Sequence, residues 1–147
     1  MVDSQALQRY SLFGGLLEEQ MSKIIPLMNQ ETYEPNVDII AEGTPNDKIR
    51  FITEGRVAIW KGKTFIWELT EGNTFGEMEV LDVMPSAATA RSVTKVMALS
   101  ISNKSLREIY RNDIKAFSLI LMNLARDLSR RLRVADEKAA GLPGSSF

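Results

Sequence analysis

The sequence predicts a mainly β protein, a β-roll of the jelly-roll barrel kind, with short helices ahead of it and a long helix behind it. Three observations carry this. Helical periodicity covers residues 4–30, short turn-punctuated apolar segments cover 31–101, and helical periodicity returns after Ser102.

In the first block, Leu7, Tyr10, Leu12 and Phe13 open an apolar face that Leu16, Leu17, Met21, Ile24, Ile25 and Met28 continue. Gly14 and Gly15 interrupt it, which predicts two short helices around a turn, and Pro26 limits or kinks the second. From about Glu31 the period changes. Turn residues at 34–36, 42–47, 54–55, 61–63 and 71–73 separate expected strands at 37–41, 49–53, 56–60 and 64–69, and two more fit 88–94 and 96–101. Strands this short and this regularly spaced point to a sandwich or barrel. After Ser102 a capped helix is expected through Tyr110, then a longer one from about Ile114 to Lys138. Phe117, Leu121, Leu124, Leu128, Leu132 and Ala135 form its expected apolar stripe. The whole reads as one domain over 1–138, with helices at 4–30, the roll at 31–101, helices at 103–138 and a flexible Gly/Pro/Ser-rich tail at 139–147.

Composition narrows function. The 147 residues contain no cysteine and no histidine. That removes disulfides, Cys/His zinc sites, thiol nucleophiles and every Ser-His arrangement, so no catalytic residue and no metal site is assigned. Net charge is −1, divided as −5 over 1–103 and +4 over 104–138. The basic segment reads as the solvated face of a helix, because a nucleic-acid-binding surface is more densely basic. No apolar run is long enough to cross a bilayer and MVDSQALQRY lacks the pattern of a secretory signal, which makes the cytoplasm the expected location.

The strongest functional pattern is FGEMEVLDVMPSAATA at 75–90. It reads as a strand end, a glycine turn, a short apolar helical turn and a loop returning to a strand. Gly76 allows close approach of a ligand, the amides near Met78 and Glu79 suit an anion, and Glu77 can accept from hydroxyls. On chemistry alone this is an ordinary turn with one short helix, or a weak sugar-phosphate site.

The segment resembles the phosphate-binding cassette of the cyclic-nucleotide-binding domain family. LFGGL at 12–16, YEPNVDIIAEG at 33–43, FITEGRVAI at 51–59 and LTEGNTFGE at 69–77 are similar to further motifs of that family, in order, over roughly 10–135. The resemblance implies the β-roll fold and a regulatory module that binds cAMP or cGMP, with no cofactor required. It implies that Phe75 is buried support and Gly76 admits the ligand. It gives Glu77 the ribose 2′-hydroxyl, Ala87 a backbone amide for the phosphate, and Ala88 and Thr89 the return to the strand. The ligand-binding set is then Gly76, Glu77, Met78, Glu79, Ser86, Ala87, Ala88 and Thr89.

Two positions depart from the family pattern. Ser86 stands where the family has the phosphate-pairing arginine, and Glu79 where it has a small residue. Losing the arginine forfeits roughly 1.5–3 kcal/mol. A carboxylate about 5 Å from the phosphate adds roughly 3 kcal/mol of repulsion at an effective dielectric near 20. Together they predict binding weakened by about two to four orders of magnitude. Arg91 is no substitute, since it lies five residues past Ser86 and faces the other side of a regular strand.

The remaining candidates read plainly. Trp60, Phe65 and Trp67 read as cross-strand packing, with base stacking the alternative. Glu77, Glu79 and Asp82 lack the spacing of a calcium loop. Two functions are therefore carried forward: a cyclic-nucleotide sensor that signals through the helix at 114–138, and a module that lost the nucleotide and serves dimerisation or docking to an unknown protein partner. The same helix is the expected homodimer contact, although Arg131 interrupts a strict heptad. The nine residues after Lys138 are too few for a helix-turn-helix, so no DNA-binding domain is expected in the chain, nor a membrane partner.

Overall fold

The structure is a computed structural model that describes residues 3–141, so the end of the expected tail lies outside the described residues. Helix α1 (Ser4–Gln8) leads through a 3-10 turn at Ser11–Phe13 to α2 (Glu18–Ile24) and a second 3-10 turn at Ile25–Leu27. Eight strands follow: β1 (Asn29–Tyr33), β2 (Asp38–Ile40), β3 (Lys48–Glu54), β4 (Val57–Lys61), β5 (Thr64–Leu69), β6 (Thr74–Phe75), β7 (Thr89–Ser92) and β8 (Val96–Ser102). Helix α3 (Glu77–Asp82) interrupts them, and α4 (Asn103–Asn112) and α5 (Ile114–Ala139) end the described chain.

The strands form two four-stranded antiparallel sheets, ordered β1-β8-β3-β6 and β2-β7-β4-β5. This is the expected β-roll with flanking helices. Strands β3 and β8 are buried on both faces, which explains their nearly continuous apolar sequences. Ile49, Phe51, Leu99 and Ile101 face the helices and pack on Leu12, Phe13, Met21 and Ile120. Ile52 and Val96 point the other way and meet Ile40, Val57, Leu69, Phe75 and Ala90 inside the roll. Phe51 carries edge-on contacts from Tyr10 and Phe13, with ring centroids 5.0 and 5.3 Å away.

Strands β1 and β6 were not legible as strands. Asn29-Gln30-Glu31-Thr32 has no apolar alternation, and its pairing is set by β8, where Asn29–Tyr33 lie opposite Ser100–Val96. Strand β6 has two residues, too few for any period. Residues 29 and 30 thus belong to a strand, not to the expected helical block.

The buried stripe of α5 is also rotated from the one expected. Ala116, Ile120, Asn123, Leu124 and Val134 are buried, whereas Leu132 is 62% exposed and Phe117, Leu121 and Leu128 are half-buried. A polar residue leads this rotation. The Asn123 side-chain amide donates to the carbonyls of Leu12 and Gly14, both at 3.0 Å, and pins α5 to the turn between α1 and α2. Asp113 caps α5 by accepting from the Ala116 amide at 3.0 Å, and Ser102 caps α4 through the Ser105 amide at 3.1 Å.

Asn123→Ala leaves two carbonyls without their donor, and a gain of a few tenths of a kcal/mol in helix propensity does not offset that. Urea unfolding of this variant is expected to show a loss of about 2–4 kcal/mol.

Candidate functional site

The cassette begins where β6 ends. Gly76 has φ +84°, and a Cβ there would stand 2.7 Å from the Lys48 carbonyl oxygen, so only glycine fits. Asn46 fixes this bend from the other side, its amide donating to the Lys48 carbonyl at 2.8 Å and the Gly76 carbonyl at 3.0 Å. The far limb of the cassette is tied to the loop between β2 and β3. The Ser86 amide donates to the Thr44 carbonyl at 2.9 Å, and the Gly43 amide to the Ser86 carbonyl at 2.8 Å. Lys61 adds a third tie, donating to the Ala87 carbonyl at 2.8 Å while paired with Glu42 at 3.2 Å.

These ties border a partly open cavity of about 90 Å³ between α3, the loop ahead of β7, and the inner face of the β2-β7-β4-β5 sheet. Gly76, Glu77, Met78, Glu79, Ser86, Ala87 and Ala88 line it, which brings together seven of the eight residues singled out from the sequence. Thr89 is outside the lining and accepts from the Glu42 amide at 3.0 Å. Ile40, Ile59, Trp67, Leu69 and Ala90 supply the apolar walls. Trp60 stays on the hairpin, edge-on to Phe65 at 5.5 Å, and Arg91 pairs with Asp38 at 2.6 Å away from the cavity.

Arg131 is the residue that sequence reasoning missed at the site. It reaches the cavity from α5, where it stood out only as a break in a heptad. Its guanidinium meets Glu77 Oε1 at 2.8 Å and also donates to the Thr74 carbonyl. Glu77 is 3% exposed, so this is a buried ion pair. The other carboxylate oxygen, Oε2, is buried with no hydrogen-bond partner among the described residues. Burial raises the carboxyl pKa, against the pull of Arg131, and the Glu79 and Asp127 charges raise it further.

Ser86 is buried, and its hydroxyl donates to the Ala88 carbonyl at 2.6 Å. Glu79 is half-buried and lines the cavity with it. Burial again raises the Glu79 carboxyl, with help from the Asp82 charge, while the nearby polar side chains of Asn46 and Ser86 oppose the shift. The Glu79 carboxylate is therefore on the same cavity wall as Ser86. No group of three or more metal-ligating side chains occurs among the described residues.

A cassette bent at Gly76, a β-roll behind it and a long helix across its mouth define a ligand-pocket module of the regulatory kind. The chain belongs to the cyclic nucleotide-binding domain family, whose model matches residues 30–113. It is 22% identical over 135 residues to cGMP-dependent protein kinase 2 of Homo sapiens, covering 92% of this chain and 18% of the kinase. The chain thus spans under a fifth of that relative. A cyclic nucleotide-binding domain from Methylobacillus flagellatus superposes with a TM-score of 0.82 at 22% identity, over 97% of this chain and 84% of that one. The regulatory subunit of a cAMP-independent protein kinase A from Trypanosoma brucei, as a triple mutant bound to cAMP, superposes with a TM-score of 0.70 at 20% identity, over 84% and 44%.

The Glu79 shift has a signed consequence. Because the folded pKa is raised above the unfolded value, ionised Glu79 destabilises the fold above the folded pKa, and the penalty is relieved as pH falls through it. Glu79→Gln is expected to melt higher than wild type at about pH 7.5, with the gap closing toward about pH 5. Thermal melts of both proteins at the two pH values check this.

Proposed function

We propose that this chain is a non-catalytic cytoplasmic regulatory module whose cavity takes a cyclic nucleotide or a related ligand, holding an ordinary cyclic nucleotide weakly. One observation carries the reading: Glu77, a side chain lining the cassette cavity, has a buried carboxylate oxygen, Oε2, with no hydrogen-bond partner among the described residues. An orphaned buried acceptor costs free energy, and a ligand hydroxyl is the natural partner to relieve it. Gly76, Met78, Ala87 and Ala88 complete the ligand contacts, and Thr89 fixes the return to β7 instead of touching ligand.

The cavity, at about 90 Å³, is well below the roughly 300 Å³ at which small-molecule pockets begin. Arg131 and α5 occupy its mouth, so ligand admission requires α5 to shift. That requirement couples the site to the helix, since a ligand moves an equilibrium only by its differential affinity for the two arrangements.

Weak binding of cyclic nucleotides is supported by Ser86 and Glu79. The cAMP-bound Trypanosoma brucei mutant carries an alanine for a glutamate and an arginine for a threonine seven residues later, the same separation as Glu79 and Ser86. A second reading, a domain kept for dimerisation or docking to a protein partner, is favoured by the exposure of Ile114, Met122 and Leu132 along α5.

Calorimetric titration with cAMP and cGMP separates the two. Wild type is expected to bind at millimolar affinity or weaker, and the Glu79→Ala, Ser86→Arg double variant to gain about two to four orders of magnitude. Micromolar binding by wild type refutes the weak-site argument. No binding by either protein refutes the pocket and leaves the docking reading.

A further inference from the structure

Apart from Arg131 and the Trp67 indole, the polar side chains on the cavity wall carry hydrogen-bond acceptors. Glu77 offers the unpartnered Oε2, and Glu79 offers its carboxylate. Ser86 directs its one hydroxyl proton to the Ala88 carbonyl at 2.6 Å, and its oxygen accepts from the Ala88 amide at 3.5 Å, so it holds out no donor to a ligand. The charges agree with this. Among the described lining residues, Arg131 is the sole cation against two carboxylates, and it is engaged with Glu77 and the Thr74 carbonyl. Lys61, at the rim, is engaged with Glu42 and the Ala87 carbonyl.

Such a wall is mismatched to a ligand that is itself an anion and an acceptor. A 3′,5′-cyclic phosphate brings a negative charge and four acceptor oxygens toward Ser86 and Glu79, and its ribose keeps one hydroxyl. The uncharged nucleoside keeps three hydroxyls, at the 2′, 3′ and 5′ carbons, all able to donate. The vicinal 2′,3′ pair suits a carboxylate, and the 5′ hydroxyl suits Glu79 beside Ser86. Ile40, Ile59, Trp67 and Leu69 form an apolar lining suited to a planar base.

We infer that the cavity selects an uncharged ribonucleoside over the corresponding cyclic nucleotide, with Glu77 and Glu79 accepting from its free hydroxyls. This rests on reading the cavity as a ligand site. The raised carboxyl of Glu79 agrees with it, because a group that burial disfavours as an anion is relieved by a neutral donor and not by a second anion.

The test is calorimetry of the full chain with adenosine and guanosine against cAMP and cGMP, with 2′-deoxyadenosine as the hydroxyl control. Wild type is expected to bind a nucleoside about tenfold or more tightly than its cyclic monophosphate, and the Glu79→Ala, Ser86→Arg double variant to reverse the order. A cyclic nucleotide that binds wild type more tightly than its nucleoside overturns the inference while leaving the sensor reading intact. A nucleoside preference unchanged in the double variant overturns the assignment to Glu79 and Ser86. Binding of none of the five compounds overturns both the inference and the sensor reading, provided the melting curve of wild type shows a folded protein.

Discussion

The ion pair between Glu77 and Arg131 joins two elements, α3 and α5, between which no backbone–backbone hydrogen bond runs among the described residues. Glu77 opens α3 in the cassette; Arg131 projects from the far half of α5, 54 positions along the chain. Both side chains are withdrawn from water, at 3% and 11% exposure. A pair this deep must recover the cost of desolvating two charges through good geometry and further hydrogen bonds. Arg131 meets that condition by also donating to the Thr74 carbonyl. Glu77 meets it by half, since Oε2 is left without a partner among the described residues. The cassette is therefore joined to α5 by an interaction in which one carboxylate oxygen lacks a partner among the described residues.

That incompleteness gives the helix something to respond to. On the proposed reading, a ligand that reaches Glu77 displaces the Arg131 side chain or moves α5 with it, since the cavity volume is about 90 Å³. The near end of α5 is anchored by Asp113 and Asn123, while the segment around Arg131 is held by Glu77, by Ser11 donating to Asp127 and by burial of Val134. In the proposed function, Glu79 selects among ligands. It adds a second carboxylate to the same wall, and with Ser86 in place of a cation the site carries an excess of acceptors.

Much of this was legible in the sequence because it is written in local patterns. The turn glycines, the apolar segments between them and the cassette motif at 75–90 each specify their own conformation, and Gly76 is required by its left-handed φ. Local patterns fail where long-range pairing decides. Strand β1 is polar and exists because β8 offers it a partner. The stripe of α5 is rotated because Asn123, which no hydropathy rule selects for burial, bonds to Leu12 and Gly14 more than a hundred residues away. Arg131 was missed for the same reason. In the sequence it is one of several arginines on a helix and a flaw in a heptad; only the fold brings it to Glu77. The signal that points to it is that flaw, a charged residue on an otherwise apolar register.

The central claim is that Glu77 and Arg131 act as one unit joining cassette to helix. A double-mutant cycle with Glu77→Gln, Arg131→Met and the combined variant, measured by urea unfolding without ligand, tests it most directly. The account predicts that each single change costs several kcal/mol and that the combined change costs less than their sum by about 2 kcal/mol or more. Additivity within about 0.5 kcal/mol would mean that the two side chains stabilise the fold independently, and the coupling of cassette to α5 described here would be contradicted.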